Sequence, residues 1–411
     1  MHYKQKYVYV GLDVHKDTHT AVIINCWNER LDEITFENRP HAFPEFLNRV
    51  RKYAKNELVP MFGLEDTGGY GRSLAVFLLE NKQIVKEVNS ALSHSERKSY
   101  PTTQKSDGWD AFCIANVLLS KLEILPDANP QDSFWTLAQL VARRNGLVKA
   151  LTAVNNQLHV QLSHSYPSYT QFFSDVDGKT ALAFWEEYPS PCHLQAIEVE
   201  KLTEFLRKHS NNACSTKKAL TILDLIEKDN IPKRKFQDSR DFLVKSLVAD
   251  IKFKKQEITK VEAELERILA IMGYKLESMP GVDTVTAAAL LAEIGDIMRF
   301  DNPNKLARFA GIAPVKFSSA GKGTEQKSKQ GNRTLHGIFY FMAIQQIQIA
   351  KGSGLPRNPV FLEYYNRKLA ENKTKVQALV CIMRRLVNIV YGMLKNKTEY
   401  IMPTLPEDKA V

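Results

Sequence analysis

Four acidic residues stand where a phosphate-handling centre would need them. Asp13 follows directly on the apolar run Tyr7-Val8-Tyr9-Val10-Gly11-Leu12. Glu65 follows Met61-Phe62-Gly63-Leu64 in the same way, and Gly68-Gly69 then turns the chain. If both runs are buried strands, each carries an acid at its C-terminal edge. Asp107 and Asp110 are three apart at the start of a helical pattern, which puts both carboxylates on one face. Four such groups at one sheet edge would repel one another unless cations lay between them. Oxygen-only ligands favour Mg²⁺ or Mn²⁺, and paired ions stabilise the attacking and leaving oxygens of phosphoryl transfer. The pattern therefore predicts a metal centre built from Asp13, Glu65, Asp107 and Asp110. Taken singly, each acid has an ordinary reading: Asp13 as a turn former, Glu65 as a surface acid, Asp107 or Asp110 as a helix N-cap. The order along the strand pattern is what favours the metal. His15 and His19 read as hairpin-packing or solvent residues, and Trp109 as a cap of its helix against the core.

The elements that must position these acids alternate between strand and helix. Strands are expected over Tyr7 to Leu12, Thr18 to Asn25, Glu33 to Phe36 at an edge, Pro60 to Leu64, and Ile84 to Val88. Helices are expected over Phe43 to Tyr53, Arg72 to Glu80 and Asp110 to Leu122. Three early strands followed by alternation suit an RNase H-like α/β sheet over residues 1–130. After Asp127-Ala128-Asn129-Pro130 the pattern becomes helical. Leu140, Arg144, Leu147, Leu151, Val154 and Leu158 recur at spacings of four and three. So do Val244, Leu247, Ile251, Lys254, Ile258, Val261, Leu265 and Ile268, with only Lys254 breaking the apolar seam. That reads as a coiled-coil middle over 131–275, pairing either between two chains or between two helices of one chain. Tyr166 to Arg240 is a helical insert between the runs. Residues 276–411 form a basic helical domain. In it, Met279-Pro280-Gly281-Val282-Asp283 opens a helix to Gly295 like half of a helix-hairpin-helix, a turn that suits a phosphate. A last helix covers Val376 to Lys395.

Lys and Arg number 56 against 46 Asp and Glu, a net charge of +10 that favours a polyanionic partner. The cations Arg299, Lys305, Arg308, Lys316, Lys322, Lys327, Lys329 and Arg333 concentrate in the last third and are the candidate nucleic-acid contacts. Five cysteines are scattered without a C-x-x-C pair, which argues against a disulfide frame or zinc site. No stretch approaches the roughly 18 apolar residues that a membrane span requires, and no leader pattern is seen; a cytoplasmic protein is expected.

The motifs Gly-Leu-Asp13-Val-His-Lys, Leu-Glu65-Asp-Thr-Gly-Gly-Tyr and Lys105-Ser-Asp107-Gly-Trp-Asp110-Ala resemble those of a RuvC-like DEDD domain. Met279-Pro-Gly-Val-Asp-Thr-Val-Thr-Ala, Phe309-Ala-Gly-Ile-Ala-Pro, Phe317-Ser-Ser-Ala-Gly-Lys and Gly331-Asn-Arg333 resemble the C-terminal domain of the same proteins. The combination is similar to the insertion-sequence 110 transposases, which include the Piv-type DNA invertases. Asp66, where a small residue is common, and Ala320, where a glycine is frequent, depart from the pattern. The resemblance implies a serine nucleophile at the position of Ser319, with Ser318 as its competitor, on a loop where Lys316 and Lys322 can neutralise charge. It also implies donor and target DNA as partners, a structured guide RNA, and a homodimer or homotetramer. Two other functions fit the residues: a metal-dependent nuclease such as a junction resolvase, and a non-catalytic nucleic-acid-binding protein.

Overall fold

A computed structural model describes residues 2–54, 57–66, 68–101, 106–130, 133–319, 322–326, 328 and 330–403, with only the backbone described over 315–319 and 322–326. The chain divides into two units, Met1–Asp132 and Ser133–Val411.

In the first unit the apolar runs become β1 (Tyr7–Val14) and β4 (Val59–Glu65), parallel neighbours at the centre of a five-stranded sheet. The remaining strands are β2 (Thr18–Ile24), β3 (Arg30–Glu37) and β5 (Ile84–Glu87), in the order β3-β2-β1-β4-β5. β2 is antiparallel to both β1 and β3, while β5 runs parallel to β4. β1 and β4 are nearly continuous in apolar residues because both their faces are covered. On one face, α1 (Phe43–Arg51) and α2 (Arg72–Glu80) bury Phe43, Phe46, Leu47, Leu74 and Leu78 against Val8, Val10, Leu12 and Phe62. On the other, α4 (Asp107–Lys121) buries Ala111, Ile114, Ala115 and Leu118 against Tyr9, Val22 and Met61. Gly11 permits that second contact: a Cβ there would stand 2.1 Å from the Ala111 carbonyl oxygen and 2.3 Å from the Ala115 nitrogen. A further helix, α3 (Ser90–Lys98), precedes α4 and was not anticipated; only Ser93 of its nine residues is buried, so it carries no apolar stripe.

The second unit is built on two long helices, α5 (Ser133–Ser165) and α9 (Gln237–Met272). They pack against each other, antiparallel, within one chain. Leu137 near the start of α5 shares a core with Leu265, Ile268 and Leu269 near the end of α9, and Leu158 and Leu162 share one with Val244, Val248 and Ile251. Arg144 and Glu262 form an ion pair across the seam at 2.9 Å. Between the long helices lie α6 (Lys179–Glu187), α7 (Val199–His209) and α8 (Thr216–Asp229), gathered on an aromatic cluster of Tyr166, Phe172, Phe184 and Trp185. Trp185 Nε1 donates to the Val176 carbonyl at 3.0 Å, so the buried indole keeps its hydrogen bond.

Beyond α9 the chain forms α10 (Thr284–Ile294), α11 (Pro303–Phe309), the strands β6 (Val315–Ser319) and β7 (Lys322–Gln326), then α12 (Arg333–Ile347), α13 (Pro359–Ala370) and α14 (Lys375–Asn396). This part is therefore not wholly helical: β6 and β7 pair as an antiparallel ribbon. Long, apolar α14 is the one helix among the described residues with the length and composition to cross a membrane, yet Leu379, Ile382, Met383, Leu386, Val387 and Val390 are core residues here.

Candidate metal centre

The parallel register of β1 and β4 sets Asp13 directly beside Glu65, on strands whose spacing is about 4.8 Å. Both acids are therefore held by backbone hydrogen bonds at the same sheet edge. α4 brings the other pair. Its N-cap is Ser106, whose hydroxyl accepts from the Trp109 amide at 3.2 Å. Neither Asp107 nor Asp110 is used as the cap, and both sit in the first turn, where the helix dipole favours negative charge. Trp109, half-buried, packs edge-on against Tyr100, with ring centroids 5.0 Å apart.

The acids do not share one environment. Asp13 is largely shielded, its side chain 14% exposed, while Asp107 is 61% exposed. Between them lies His15, whose Nε2 is 3.1 Å from Asp13 Oδ2 and 3.6 Å from Asp107 Oδ1. The ligand atoms of Asp13, His15 and Asp107 all lie within 4.8 Å of one another. Asp110 is buried and pairs with Arg97 of α3, Nη1 to Oδ1, at 3.0 Å. Glu65 accepts a short hydrogen bond from the Ser93 hydroxyl of the same helix. Burial pushes the Asp13 carboxyl above the usual carboxylate range; nearby Asp110 and Asp107 add to the shift, and His15 partly opposes it. A divalent cation would remove that repulsion. The donor set suits one: neighbouring ligand atoms around a six-coordinate ion with bonds of 2.0–2.1 Å lie about 3 Å apart, close to the shorter separation His15 makes, 3.1 Å, with the longer at 3.6 Å.

His15 is the residue that the sequence reading assigned elsewhere. It stands in the β1–β2 turn, where its amide donates to the Thr18 carbonyl at 3.2 Å. Asn38 clasps that turn, its amide nitrogen donating to the carbonyls of His15 (3.4 Å), Lys16 (3.2 Å) and Tyr70 (3.0 Å). The signal available in sequence was the Asp-x-His spacing at a strand end. Arg97 and Ser93 carried none, because α3 itself was not foreseen. His19, by contrast, is fully buried between Phe36 and Phe43, and burial lowers its pKa, in keeping with hairpin packing.

The basic residues belong to the second unit. Arg299, Lys305, Arg308 and Arg333 are exposed; the Arg299 guanidinium lies 4.8 Å from the ring centroids of both Phe300 and Phe309. Ser319 ends β6 and pairs with Lys322, the first residue of β7; Ser318 pairs with Gly323. Lys316 lies within β6, and Lys327 and Lys329 fall outside the described residues. The start of α10 is closed by Asp283, which accepts from the Thr286 amide at 2.8 Å. A carboxylate thus takes up one of the amides that a phosphate would have used.

Residues 10–167 match a family model described as Transposase, of the DEDD type in the IS110 group, and residues 273–366 match that of the Transposase IS116/IS110/IS902 family. The chain is 26% identical over 396 residues to the insertion element IS116 uncharacterized 44.8 kDa protein of Streptomyces clavuligerus, covering 95% of each chain. It is 24% identical over 397 residues to the insertion element IS900 uncharacterized 42 kDa protein of Mycobacterium paratuberculosis, covering 96% of this chain and 97% of that one. It is also 23% identical over 403 residues to a pilin gene-inverting protein of Moraxella lacunata, covering 95% and 97%.

Proposed function

The chain belongs to the IS116/IS110/IS902 family of transposases, enzymes that cut and rejoin DNA, and from that premise we propose how its residues divide the work. The first unit is a RuvC-like domain, a reading supported by the β3-β2-β1-β4-β5 order with β2 antiparallel. Asp13, Glu65, Asp107 and Asp110 are its DEDD carboxylates. They would hold Mg²⁺ or Mn²⁺, which would supply charge stabilisation to a phosphodiester undergoing transfer. The observation that carries this is the convergence of Asp13 and Asp107 on one point beside Glu65.

The nucleophile is the Ser319 hydroxyl. Its oxygen bonds to the scissile phosphorus and one bridging DNA oxygen leaves; the serine proton departs and the leaving oxygen gains one. The phosphoserine ester conserves the bond energy, so attack by a DNA hydroxyl from the partner strand rejoins the DNA and frees the serine. Lys322, paired with Ser319 across the β6–β7 ribbon, and Lys316, three residues before it in β6, suit the charge that develops on the phosphate. Arg299, Lys305, Arg308, Lys327, Lys329 and Arg333 contact the nucleic-acid backbone, and a structured RNA guides recognition of donor and target DNA. The boundaries 1–130, 131–275 and 276–411 separate the carboxylate domain, the helical arm with its insert, and the serine domain.

The assignment is tested by replacing Asp13, Glu65, Asp107 and Asp110 singly with their amides and assaying recombination of a donor–target plasmid pair in Mg²⁺. Each variant is expected to keep its circular-dichroism spectrum and lose recombination. Normal recombination by Asp13→Asn would refute the centre.

A further inference from the structure

We propose that His15 is itself a metal ligand, and that it makes the centre prefer Mn²⁺ over Mg²⁺. The inference rests on the carboxylate reading above and adds a nitrogen donor to it. Three observations point the same way. First, the carboxylates fall into two classes. Asp110 is held by Arg97 and Glu65 by Ser93, whereas among the described residues the Asp13 and Asp107 carboxylates have His15 as their ion-pair partner. Second, a single atom, His15 Nε2, faces both of them, at 3.1 and 3.6 Å. The shorter is an ordinary hydrogen bond and the longer exceeds one, and the ligand atoms of all three residues lie within 4.8 Å of one another, a span that a single ion can bridge. Third, the turn carrying His15 is fixed from outside by Asn38, which bonds three carbonyls around it. That clasp fixes the backbone from which the His15 ring reaches the two carboxylates.

The consequence for the metal follows from donor chemistry. Mg²⁺ is a hard ion that takes oxygen and gives up its waters reluctantly, while first-row transition ions accept imidazole more readily. An oxygen-oxygen-nitrogen set therefore shifts selectivity towards Mn²⁺ without excluding Mg²⁺.

The test uses the full-length protein stripped of metal, titrated with Mn²⁺ and followed by the electron paramagnetic resonance of the free ion, with Mg²⁺ as competitor. Wild type should bind Mn²⁺ with a clear preference, and pulsed measurements on the bound ion should show coupling to an imidazole nitrogen. His15→Ala should lose that coupling and weaken Mn²⁺ binding by about tenfold or more, the scale seen when groups supporting a metal site are removed. His15→Asn, which offers an oxygen, should restore binding with the preference for Mn²⁺ narrowed. His15 is half-exposed, so neither variant should alter the melting temperature of the metal-free protein appreciably. Bound Mn²⁺ without nitrogen coupling in wild type, or undiminished Mn²⁺ preference in His15→Ala, overturns the proposal and leaves the carboxylates untouched. Asp13→Asn separates the two claims: undiminished Mn²⁺ binding in that variant would overturn the carboxylate reading, and this inference with it.

Discussion

Asp13 is where the cost of the centre is concentrated. Burial, with Asp110 and Asp107 close by, raises its pKa in the folded chain above the unfolded value. The folded state therefore binds this proton more tightly than the unfolded state does. That contribution to stability is complete below the ordinary carboxylate range and is lost as pH rises through the folded pKa. At neutral pH without metal, ionised Asp13 thus works against folding. Asp13→Asn should melt higher than wild type in a chelator at pH 7, and the gap should close as the pH is lowered through the carboxylate range. Thermal melts across pH check it; a gap that widens on acidification would contradict it. Asp13 and Glu65 were legible in the sequence because a strand ends in the same place that a motif does. His15 was not: alternation along β1 says nothing about a residue just past the strand's end, and its partner Asp107 is 92 residues away, brought near only by the packing of α4. Arg97 was invisible for a related reason, since it lies on a helix without an apolar stripe.

At the scale of elements, the contact between α4 and β1 decides whether the centre exists. Gly11 allows backbone to approach backbone there, so a methyl group has nowhere to go without moving the helix that carries Asp107 and Asp110. Gly11→Ala is expected to destabilise the protein by about 3 kcal/mol or more, the upper end for overpacking because the clash is with main chain. Urea unfolding measures this, and metal binding should weaken in parallel. A variant as stable as wild type would mean that α4 is free to shift. Strands β1, β2 and β4 were readable from their apolar runs, as were α5 and α9 from their heptads. The heptads could not say whether their partner was in the same chain, because an apolar seam is satisfied by either; the shared cores of Leu137 with Leu265 and of Leu158 with Val244 show the pairing within the chain. The β6–β7 ribbon escaped notice because its short strands sit in a basic, glycine-containing segment that reads as loop.

For the whole molecule, the net charge of +10 and the exposed cations of the second unit would, on the proposed function, set the terms of nucleic-acid binding. Each phosphate contact releases counterions, so RNA affinity should fall steeply and linearly in log–log form as salt rises, and Lys-to-Ala changes should lower the slope. Protein that repeatedly purifies free of any discrete RNA at mild salt would argue against guidance. Whether the serine and the carboxylates of one active centre come from one chain or two is answered by mixing Asp13→Asn with Ser319→Ala protein, each inactive alone. A shared centre predicts that some mixed assemblies recover activity; no recovery, with mixed oligomers demonstrated, would show that each chain supplies its own. On the proposed function, recombination passes through a covalent serine–DNA intermediate formed with the help of the carboxylate centre. The most direct measurement is peptide mapping of protein trapped on a nicked substrate from which the cut end cannot be rejoined. The prediction is a DNA-linked peptide containing Ser319, formed in Mg²⁺ and absent in both Asp13→Asn and Ser319→Ala. Metal-dependent cleavage that leaves free DNA ends and no linked protein would contradict it, and would mark the chain as a nuclease that uses water.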